Sequence, residues 1–238
     1  LVVCLKCGGS DGLSGINSNT VVGTFSDLLV ARGGSTILTE VPEMFGAEEL
    51  LLGRCADGEV FRQAAELLQG FRGYFVSHGE NVYENPSPGN KAGGITTLED
   101  KSCGCVQKGG TAPIVGVVPY GGQVVRPGLN LLWGPGNDLV STTALSAAGA
   151  HLILFTTGRG TPFGAPAPPL KISSNKALAA HKPGWIDFDA GSVAEGESIG
   201  QAAQRLFHLV LRTAGGAPTK SDEAGRRGIA IFKDGVTL

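Results

Sequence analysis

The sequence has little charge, few aromatic side chains and no long apolar run. Charged residues make up 17% and aromatic residues 6% of the 238 residues, and the formal net charge is −2. A chain so close to neutrality is not expected to take nucleic acid or an anionic membrane as its main partner. The apolar runs stay well short of the roughly 18–20 residues that cross a bilayer, so we also expect no membrane span.

Histidine and cysteine are scarce as well. The four histidines show neither HxH nor HExxH spacing, which argues against a histidine-rich metal site. Five cysteines, an odd number, suit a reducing compartment better than a disulfide framework. We therefore predict a cytoplasmic location.

The cysteine spacing leaves two interpretations open. Cys4 and Cys7, together with Cys103 and Cys105, could form a four-cysteine zinc site. However, Cys4 lies inside an apolar run, where its side chain would point away from the following loop. We favour the interpretation that Cys4, Cys55 and Cys105 are small buried apolar residues, and that Cys7 is the exception.

Glycine, in contrast, is abundant. The chain contains 38 glycines, about twice the usual share of roughly 7%, and they fall at the ends of short apolar runs. Strands alternating with helical patterns and joined by glycine-rich turns predict an α/β fold with a largely parallel sheet. The predicted strands are 1–5, 36–41, 114–118, 129–133, 152–156, 170–173, 185–188 and 229–232, and the predicted helices are 19–32, 48–54, 61–75, 96–108, 138–148, 176–181 and 199–213.

In parallel sheets, ligands bind beyond the carboxyl ends of the strands. The loops that follow the predicted strands should therefore form the site. These loops are Cys7–Gly15, Glu40–Glu43, Trp133–Asp138 and Thr156–Thr161.

A ten-residue segment with two prolines and three glycines, Asn85-Pro-Ser-Pro-Gly-Asn-Lys-Ala-Gly-Gly94, carries further polar chemistry. Proline stiffens a backbone, and glycine permits left-handed conformations or the close approach of a ligand. Asn90 and Lys91 lie on this segment, and Lys101 follows it on a predicted helix capped by Thr96 or Thr97. We interpret the segment as a rigid anion-binding device.

Two further turns fit either a ligand site or an ordinary connection. Cys7–Gly15 offers backbone amides together with the side chains of Ser10 and Asp11, but a helix-capping loop is an alternative. The turn after the most apolar strand places hydroxyls beside Arg159, which suits a carboxylate. The alternative there is a solvated surface arginine.

Several acidic side chains are ambiguous. Glu40 or Glu43 could be a metal ligand, although a solvated carboxylate is the commoner fate of a glutamate at a strand end. Asp187 and Asp189 raise the same question. The presence of Asn137 and Asp138 in the turn after Trp133 is accounted for if one of them caps the helix that follows.

Taken together, the motifs resemble the altronate/galactarate dehydratase family, which includes sulfolactate sulfo-lyase large subunits. The resemblance extends over nearly the whole chain and includes its last ten residues, which look like the ending of altronate-type members. The segments that carry it are Cys7-Gly-Gly-Ser-Asp-Gly, Asn85-Pro-Ser-Pro-Gly-Asn-Lys-x-Gly-Gly, Lys108-Gly-Gly-Thr and Phe155-Thr-Thr-Gly-Arg-Gly-Thr-Pro-Phe-Gly.

The resemblance implies an atypical Rossmann-like domain with about seven strands and a sugar-acid hydro-lyase that depends on Fe²⁺ or another divalent metal such as Mn²⁺. It also implies that residues 1–238 are the C-terminal domain of a longer enzyme with an upstream β-clip and a linking, dimerising region. The chain begins at Leu1 inside an apolar run and without Met, so we expect a piece of such a protein. The complete enzyme would be a homodimer.

Removal of water from a sugar acid requires a base beside the carboxylate, stabilisation of an enediolate and departure of hydroxide. We predict Lys91 or Lys101 as the base. The metal should lie near Cys7, Asp11 and Glu40, on the ends of two early strands. The predicted substrate ligands are Ser10, Asn90, Thr156, Thr157 and Arg159.

Two other functions stay open. The same elimination could release sulfite instead of water, as in the sulfolactate members of the family. Alternatively, the chain by itself could be a binding or assembly module without activity.

Overall fold

The computed structural model describes residues 1–81 and 85–237. Within these residues, seven strands form one entirely parallel sheet in the order β3-β4-β2-β1-β5-β6-β7. This arrangement confirms the predicted α/β class with a seven-stranded parallel sheet. The strands are β1 (Val2–Cys7), β2 (Ser35–Leu38), β3 (Ile114–Val118), β4 (Gly128–Leu132), β5 (Leu152–Thr157), β6 (Pro169–Ser173) and β7 (Phe188–Asp189).

Helices cover both faces of this sheet. They are α1 (Ser18–Val30), α2 (Glu48–Leu52), α3 (Gly58–Ser77), α4 (Pro88–Ala92), α5 (Leu98–Val106), α6 (Asp138–Ala147), α7 (Lys176–His181), α8 (Ile199–Ala214) and α9 (Lys220–Glu223). Short 3₁₀ turns are Val41–Met44, Gln107–Gly109 and Gly191–Glu195. No helix in the described part of the chain combines the length and apolarity needed to cross a membrane.

The central strand β1 shows how alternation distributes side chains to the two faces. Val3 and Leu5 join the larger apolar core, which α1, α3 and α8 cover, whereas Cys4 joins the smaller core beneath α6. Successive side chains of a strand point to opposite faces. The last two residues of β1, Lys6 and Cys7, therefore project to opposite sides of the sheet at its carboxyl edge.

Strands are added to the sheet on both sides of β1: β2, β4 and β3 lie on one side, and β5, β6 and β7 lie on the other. The neighbours of β1 are β2 on one side and β5 on the other, and the pairing sets Cys7 opposite Thr156. A sheet in which successive strands are added on opposite sides opens a crevice at the carboxyl ends of the strands. The loops after β1, β2, β4 and β5 lie around this crevice.

The proline- and glycine-rich segment is more regular than the sequence indicated, since it contains the short helix α4. Ser87 caps α4 and forms a reciprocal capping box with Asn90, and Pro88 occupies the first turn, where its missing N–H is not needed. The peptide bond Asn85–Pro86 is cis. After a glycine turn, Thr97 caps α5, as predicted.

One predicted strand is wrong. Residues 229–232 form no strand and instead run along the surface, where Ile229 and Ile231 are exposed. The edge strand β7 has two residues and offers little backbone to pair with. The N–H of Ala230 bonds the Thr143 hydroxyl instead. The strand predicted at 185–188 is reduced to β7.

Candidate functional site

A cavity of about 660 Å³ opens at the carboxyl edge of the sheet. Each of the four predicted strand-end loops contributes to its wall, so their convergence is confirmed. The segment before α4, the start of α6 and the C-terminal residues close the remaining sides. The lining residues are Cys7, Gly8, Gly9, Ser10, Pro42, Glu43, Asn85, Ser87, Pro88, Asn90, Lys101, Gly136, Asn137, Asp138, Leu139, Thr161, Phe163 and Thr237.

Two thiols and a carboxylate meet at the end of β1. The Sγ atoms of Cys7 and Cys105 are 3.5 Å apart, and they lie 2.9 Å and 3.0 Å from Oε2 of Glu43. All three residues are buried, and their candidate ligand atoms lie within 4.8 Å of one another. Cys7 comes from β1, Glu43 from the 3₁₀ turn after β2, and Cys105 from α5.

A second buried layer of charge supports this cluster. Nζ of Lys108 lies 2.8 Å from Sγ of Cys7 and 3.0 Å from Oε2 of Glu40. Glu40 also pairs with Lys6, whose amine reaches Asp138 at 2.9 Å on the opposite face of the sheet. These contacts tie the ends of β1 and β2 to the turn after α5 and to the start of α6.

Glu40 stores backbone strain at this point. Its φ of 69° is in the left-handed region, which a residue with a side chain enters at a cost of about 1–3 kcal/mol. The bonds from Lys6, from Lys108 and from the backbone N–H of Cys7 hold it there. Such strain persists where surrounding contacts over-determine the conformation, and it is concentrated at functional sites.

Lys101 lines the cavity beside the thiol cluster. Its amine donates to Oδ1 of Asn90 at 3.0 Å and to Oδ1 of Asn85 at 2.9 Å, and it lies 3.0 Å from Oε1 of Glu43. The amide of Asn90 in turn donates to the carbonyl of Ser10. The proline- and glycine-rich segment therefore positions a lysine and links it to the loop after β1.

The electrostatics of the cluster favour charged amines and a charged Glu43. Burial disfavours the ammonium form of Lys101, but the Glu43 carboxylate and the sulfur atoms of Cys105 and Cys7 together outweigh it and raise the pKa of Lys101. Burial is also outweighed at Lys108 and at Lys6, where neighbouring anions raise the pKa. For Glu43, the three lysine charges overcome burial and lower the pKa.

The thiol of Cys105 behaves differently. Its hydrogen bond with Cys7, its burial and the adjacent charge of Glu43 all raise its pKa well above the ordinary value. Without a ligand, the proton therefore stays on this thiol near neutrality.

The predicted metal ligands do not all lie together. Cys7 belongs to the thiol cluster. Glu40 is held by two lysines behind it. The carboxylate of Asp11 accepts hydrogen bonds from Ser14, Ser174 and Asn175.

The predicted substrate ligands are also divided. Ser10 and Asn90 line the cavity. Thr156 and Thr157 are buried in the protein below it: Thr156 bonds Asn19, and Thr157 accepts from backbone N–H groups of its own turn.

Arg159 and Lys91 lie nearer the solvent. Arg159 lines a smaller cavity of about 290 Å³ that shares Asp138 and Thr161 with the main one. Its exposed guanidinium forms no hydrogen bond or ion pair within residues 1–81 and 85–237. Lys91 is exposed on α4 and is not among the residues that line either cavity.

The fold brings five further residues to the site. Sequence reasoning gave no site role to Lys6, Lys108 and Asp138, and it left Glu43 and Cys105 as open alternatives for metal ligands. Cys105 is buried, as predicted, but among polar atoms instead of apolar side chains. A lysine that directly continues an apolar strand, as Lys6 does, was a usable signal for buried charge.

Comparison with known proteins identifies the family. The family model for the C-terminal region of D-galactarate/altronate dehydratase matches residues 1–237. Altronate dehydratases of Escherichia coli (strain K12) and Bacillus subtilis (strain 168) are each 53% identical to the chain, over 98% and 100% of its length. Galactarate dehydratase (L-threo-forming) of Escherichia coli (strain K12) is 37% identical over 98% of the chain.

These alignments cover 47%, 48% and 45% of the respective relatives. The chain thus spans about half the length of the curated relatives it matches. Because the family model extends over nearly every residue, the chain belongs to the D-galactarate/altronate dehydratase family and corresponds to its C-terminal region.

Proposed function

We propose that this chain carries the active site of a metal-dependent hydro-lyase that converts a sugar acid of the altronate or galactarate type into a 2-keto-3-deoxy sugar acid. The observation that carries the proposal is a cavity wall on which Cys7 and Glu43, backed by Cys105, lie beside the Lys101 amine. The names of the relatives support the substrate class.

The reaction moves one proton and one hydroxide out of the substrate. A base takes the proton from C2, and the electron pair forms an enediolate with the carboxylate. The C3–O bond then breaks, and the departing hydroxide takes up a proton and leaves as water. The resulting enol gains a proton at C3, loses the proton of its C2 hydroxyl and becomes the 2-ketone. The protein must therefore supply a base at C2, an acid at the C3 oxygen and positive charge beside the carboxylate.

The thiol cluster fits a divalent metal. Lys6, Lys101 and Lys108 are matched by Glu40, Glu43 and Asp138. A divalent ion that binds here would displace the proton of the Cys105 thiol, which offsets part of the charge that the ion brings. Thiolates suit Fe²⁺ or Zn²⁺ better than Mn²⁺, which prefers oxygen ligands.

We therefore assign Cys7, Glu43 and Cys105 as the residues that would hold Fe²⁺. When bound, the ion would supply Lewis-acid stabilisation of substrate oxygens. Of the three predicted ligands, this assignment retains Cys7. Glu43 and Cys105 take the places of Asp11 and Glu40. The side chains of Asp11 and Glu40 are already engaged by hydrogen bonds and by lysines.

Lys101 is the lysine we place next to the reacting atoms. With its pKa raised by Glu43, it is an ammonium in the ligand-free site. In that form it can neutralise the enediolate or protonate the departing hydroxide. The cavity-facing carboxylate of Asp138 is our candidate for the base at C2, because 39% of its side chain is exposed.

Substrate hydroxyls and the carboxylate would be held by groups with free hydrogen-bonding capacity. Arg159 can pair bidentately with a carboxylate from the adjoining cavity. Thr161 belongs to both cavities and Ser10 to the main one, so both are placed for contact. We propose that Thr156, Thr157 and Asn90 act indirectly, by shaping the loops that carry these groups.

The remaining expectations also stay proposals. We infer that the chain works as the C-terminal domain of a longer cytoplasmic enzyme. We also infer that the complete enzyme is a homodimer with a small sugar acid, and not nucleic acid or a membrane, as its partner. Size measurement of the natural full-length protein tests the oligomeric state.

Dehydration assays with the full-length protein and Fe²⁺ under reducing conditions test the function. We expect turnover of altronate or galactarate, whereas turnover of sulfolactate alone would replace water by sulfite as the leaving group. Failure to act on any of the three acids would contradict the lyase proposal and favour a binding module.

Three lysine and aspartate variants test the roles within the site. Lys101→Met and Asp138→Asn should each lower kcat by at least about 100-fold, the usual contribution of a positioned acid or base. Lys91→Met, on the exposed face of α4, is the matched control and should stay near wild type. If instead Lys91→Met lost activity and Lys101→Met kept it, the assignment would be reversed.

A further inference from the structure

The C-terminal segment 225–237, which we call the strap, follows α9 without forming a helix or strand. It crosses from the β5 side of the molecule to the end of α3. Its first part bonds to the turn after β5: the Arg226 guanidinium donates to the carbonyl of Pro162, and the N–H of Gly228 donates to the carbonyl of Gly164. The segment therefore follows a defined path over the cavity edge.

An aromatic cluster holds the middle of the strap. The ring of Phe232 lies 5.3 Å from those of Tyr120 and Trp133 and 6.0 Å from that of Tyr74. The backbone N–H of Phe232 also donates to the Tyr120 hydroxyl. Edge-on and tilted ring contacts of this kind contribute roughly 0.5–1.5 kcal/mol each beyond burial.

The end of α3 fixes the last turn of the strap. The Tyr74 hydroxyl donates to the carbonyl of Gly235 at 3.0 Å and accepts from its N–H at 2.7 Å. His78 pairs with Asp234 at 2.9 Å. Gly235 has φ of +128°, a conformation that side chains disfavour. This turn directs Val236 toward the core and brings Thr237 to the cavity wall.

The hydroxyl of Thr237 is shielded from solvent and has no hydrogen-bond partner in the described part of the chain. A buried hydroxyl without a partner is costly. A rotation about χ1 that turned it toward the cavity would break no hydrogen bond with those residues. A ligand with a hydroxyl at this point would then satisfy both groups.

We propose that Thr237 contacts a distal hydroxyl of the sugar acid, and that the strap thereby takes part in substrate selection. The inference rests on the proposed function, since the cavity must hold a polyhydroxy acid. It assigns Tyr74 as a positioning residue, which acts on the substrate through Gly235. Because Tyr74 lies away from the cavity, the strap would act on substrate selection without supplying a reacting group.

Kinetics of the full-length protein with Fe²⁺ test the inference. Thr237→Val removes the hydroxyl at nearly constant volume and should lower kcat/KM by about threefold to tenfold, mainly through KM. Thr237→Ser should restore most of the loss. Tyr74→Phe should act in the same direction, and the double variant should be no worse than the poorer single variant. Lys233→Ala, an exposed change on the same strap, is the matched control.

Deoxy analogues of the sugar acid separate contact from structure. For one analogue, lacking the contacted hydroxyl, Thr237→Val and wild type should have equal kcat/KM. A loss that is the same for every analogue, or no loss with the natural acid, would overturn the inference while the lyase function stood. If wild type turned over no sugar acid, calorimetry would measure how tightly wild type and Thr237→Val bind the same acids. Equal affinities of the two proteins, or no binding by either, would also overturn the inference.

Discussion

At the residue scale, the site depends on buried charges that no apolar pattern reveals. Lys6, Glu40 and Lys108 are almost completely buried, and each has partners of opposite charge. Removing one partner from such a group leaves an uncompensated charge in a medium that solvates it poorly. The thiol cluster is thus supported from behind by ion pairs, and its stability depends on them.

Lys108→Met tests this support. We expect the free energy of unfolding to fall by about 3–5 kcal/mol, because Glu40 and Cys7 lose the amine that they share. Urea unfolding followed by circular dichroism measures the change. Lys220→Met, which breaks an exposed pair with Glu223, should change little. Equal effects of the two variants would contradict the role of buried charge.

Lys171 provides a second test, away from the site. It is buried on β6, donates to the Ser221 hydroxyl and lies over the ring of Phe163. Burial, opposed by Asp187 and aided by Arg226, lowers its pKa from 10.5 to about 8. Between these two values the unfolded chain binds a proton that the folded protein has released, so Lys171 adds a contribution to the free energy of unfolding that rises with pH.

The pH dependence should therefore differ between two variants. Lys171→Met should lack the part of the rise between pH 8 and 10.5 and should differ most from wild type below pH 8, where the folded protein holds the buried charge. Lys233→Met, at an exposed lysine, should keep the rise. Parallel stability curves for wild type and Lys171→Met over this range would refute the assignment.

At the element scale, close backbone contacts set the position of the turn that carries Lys108. α1 approaches this turn at Gly23, where a Cβ atom would overlap the carbonyl oxygen of Gln107 and crowd Gly110. The small residue lets the two backbones approach. α1 therefore determines how far the Lys108 amine lies from Cys7.

A pair of glycine substitutions tests this contact. Gly23→Ala should destabilise the protein by about 1–3 kcal/mol through overpacking and should also lower activity, because the Lys108 turn must shift. Gly70→Ala, in the exposed middle of α3, meets no atom within 4 Å and should stabilise by up to about 1 kcal/mol. Thermal unfolding and turnover of both variants give the comparison, and a neutral Gly23→Ala would contradict it.

At the scale of the whole molecule, three distant parts of the chain must fold together to form the proposed metal-binding group. Cys7, Glu43 and Cys105 come from β1, the turn after β2 and α5. A metal that binds only this folded arrangement stabilises the fold by mass action. Metal affinity and folding are then linked in one measurement.

Ferrous iron should therefore raise the melting temperature of the chain. At about 100 times its Kd, the ion adds about 2.7 kcal/mol, or about 5–10 °C for a domain of this size. Cys105→Ser should abolish most of the shift. Cys55→Ser, at a free cysteine outside the cluster, should keep it. Equal shifts for the two variants would place the metal elsewhere.

The parallel sheet and its strand-end loops were predictable, because buried strands and glycine turns leave local patterns. The thiol cluster was not, since its members are separated by 36 and 62 residues. Cys105 in particular looks apolar in its local sequence, and only the packing of α5 places it beside Cys7. The strand predicted at 229–232 was wrong for a related reason: its residues form a short apolar run, but the two-residue edge strand β7 offers little backbone to pair with them.

By itself, the sequence determined the α/β class, the edge of the sheet at which the site lies and the family to which the chain belongs. Strand periodicity, glycine turns and motif order are local properties, so they can be identified from consecutive residues of the sequence. Only the tertiary structure decided that Glu43 and Cys105 join Cys7, that Lys6 and Lys108 support them, and that Thr237 reaches the cavity. Those contacts depend on how separate elements pack, because burial and charge pairing are set by distances in space.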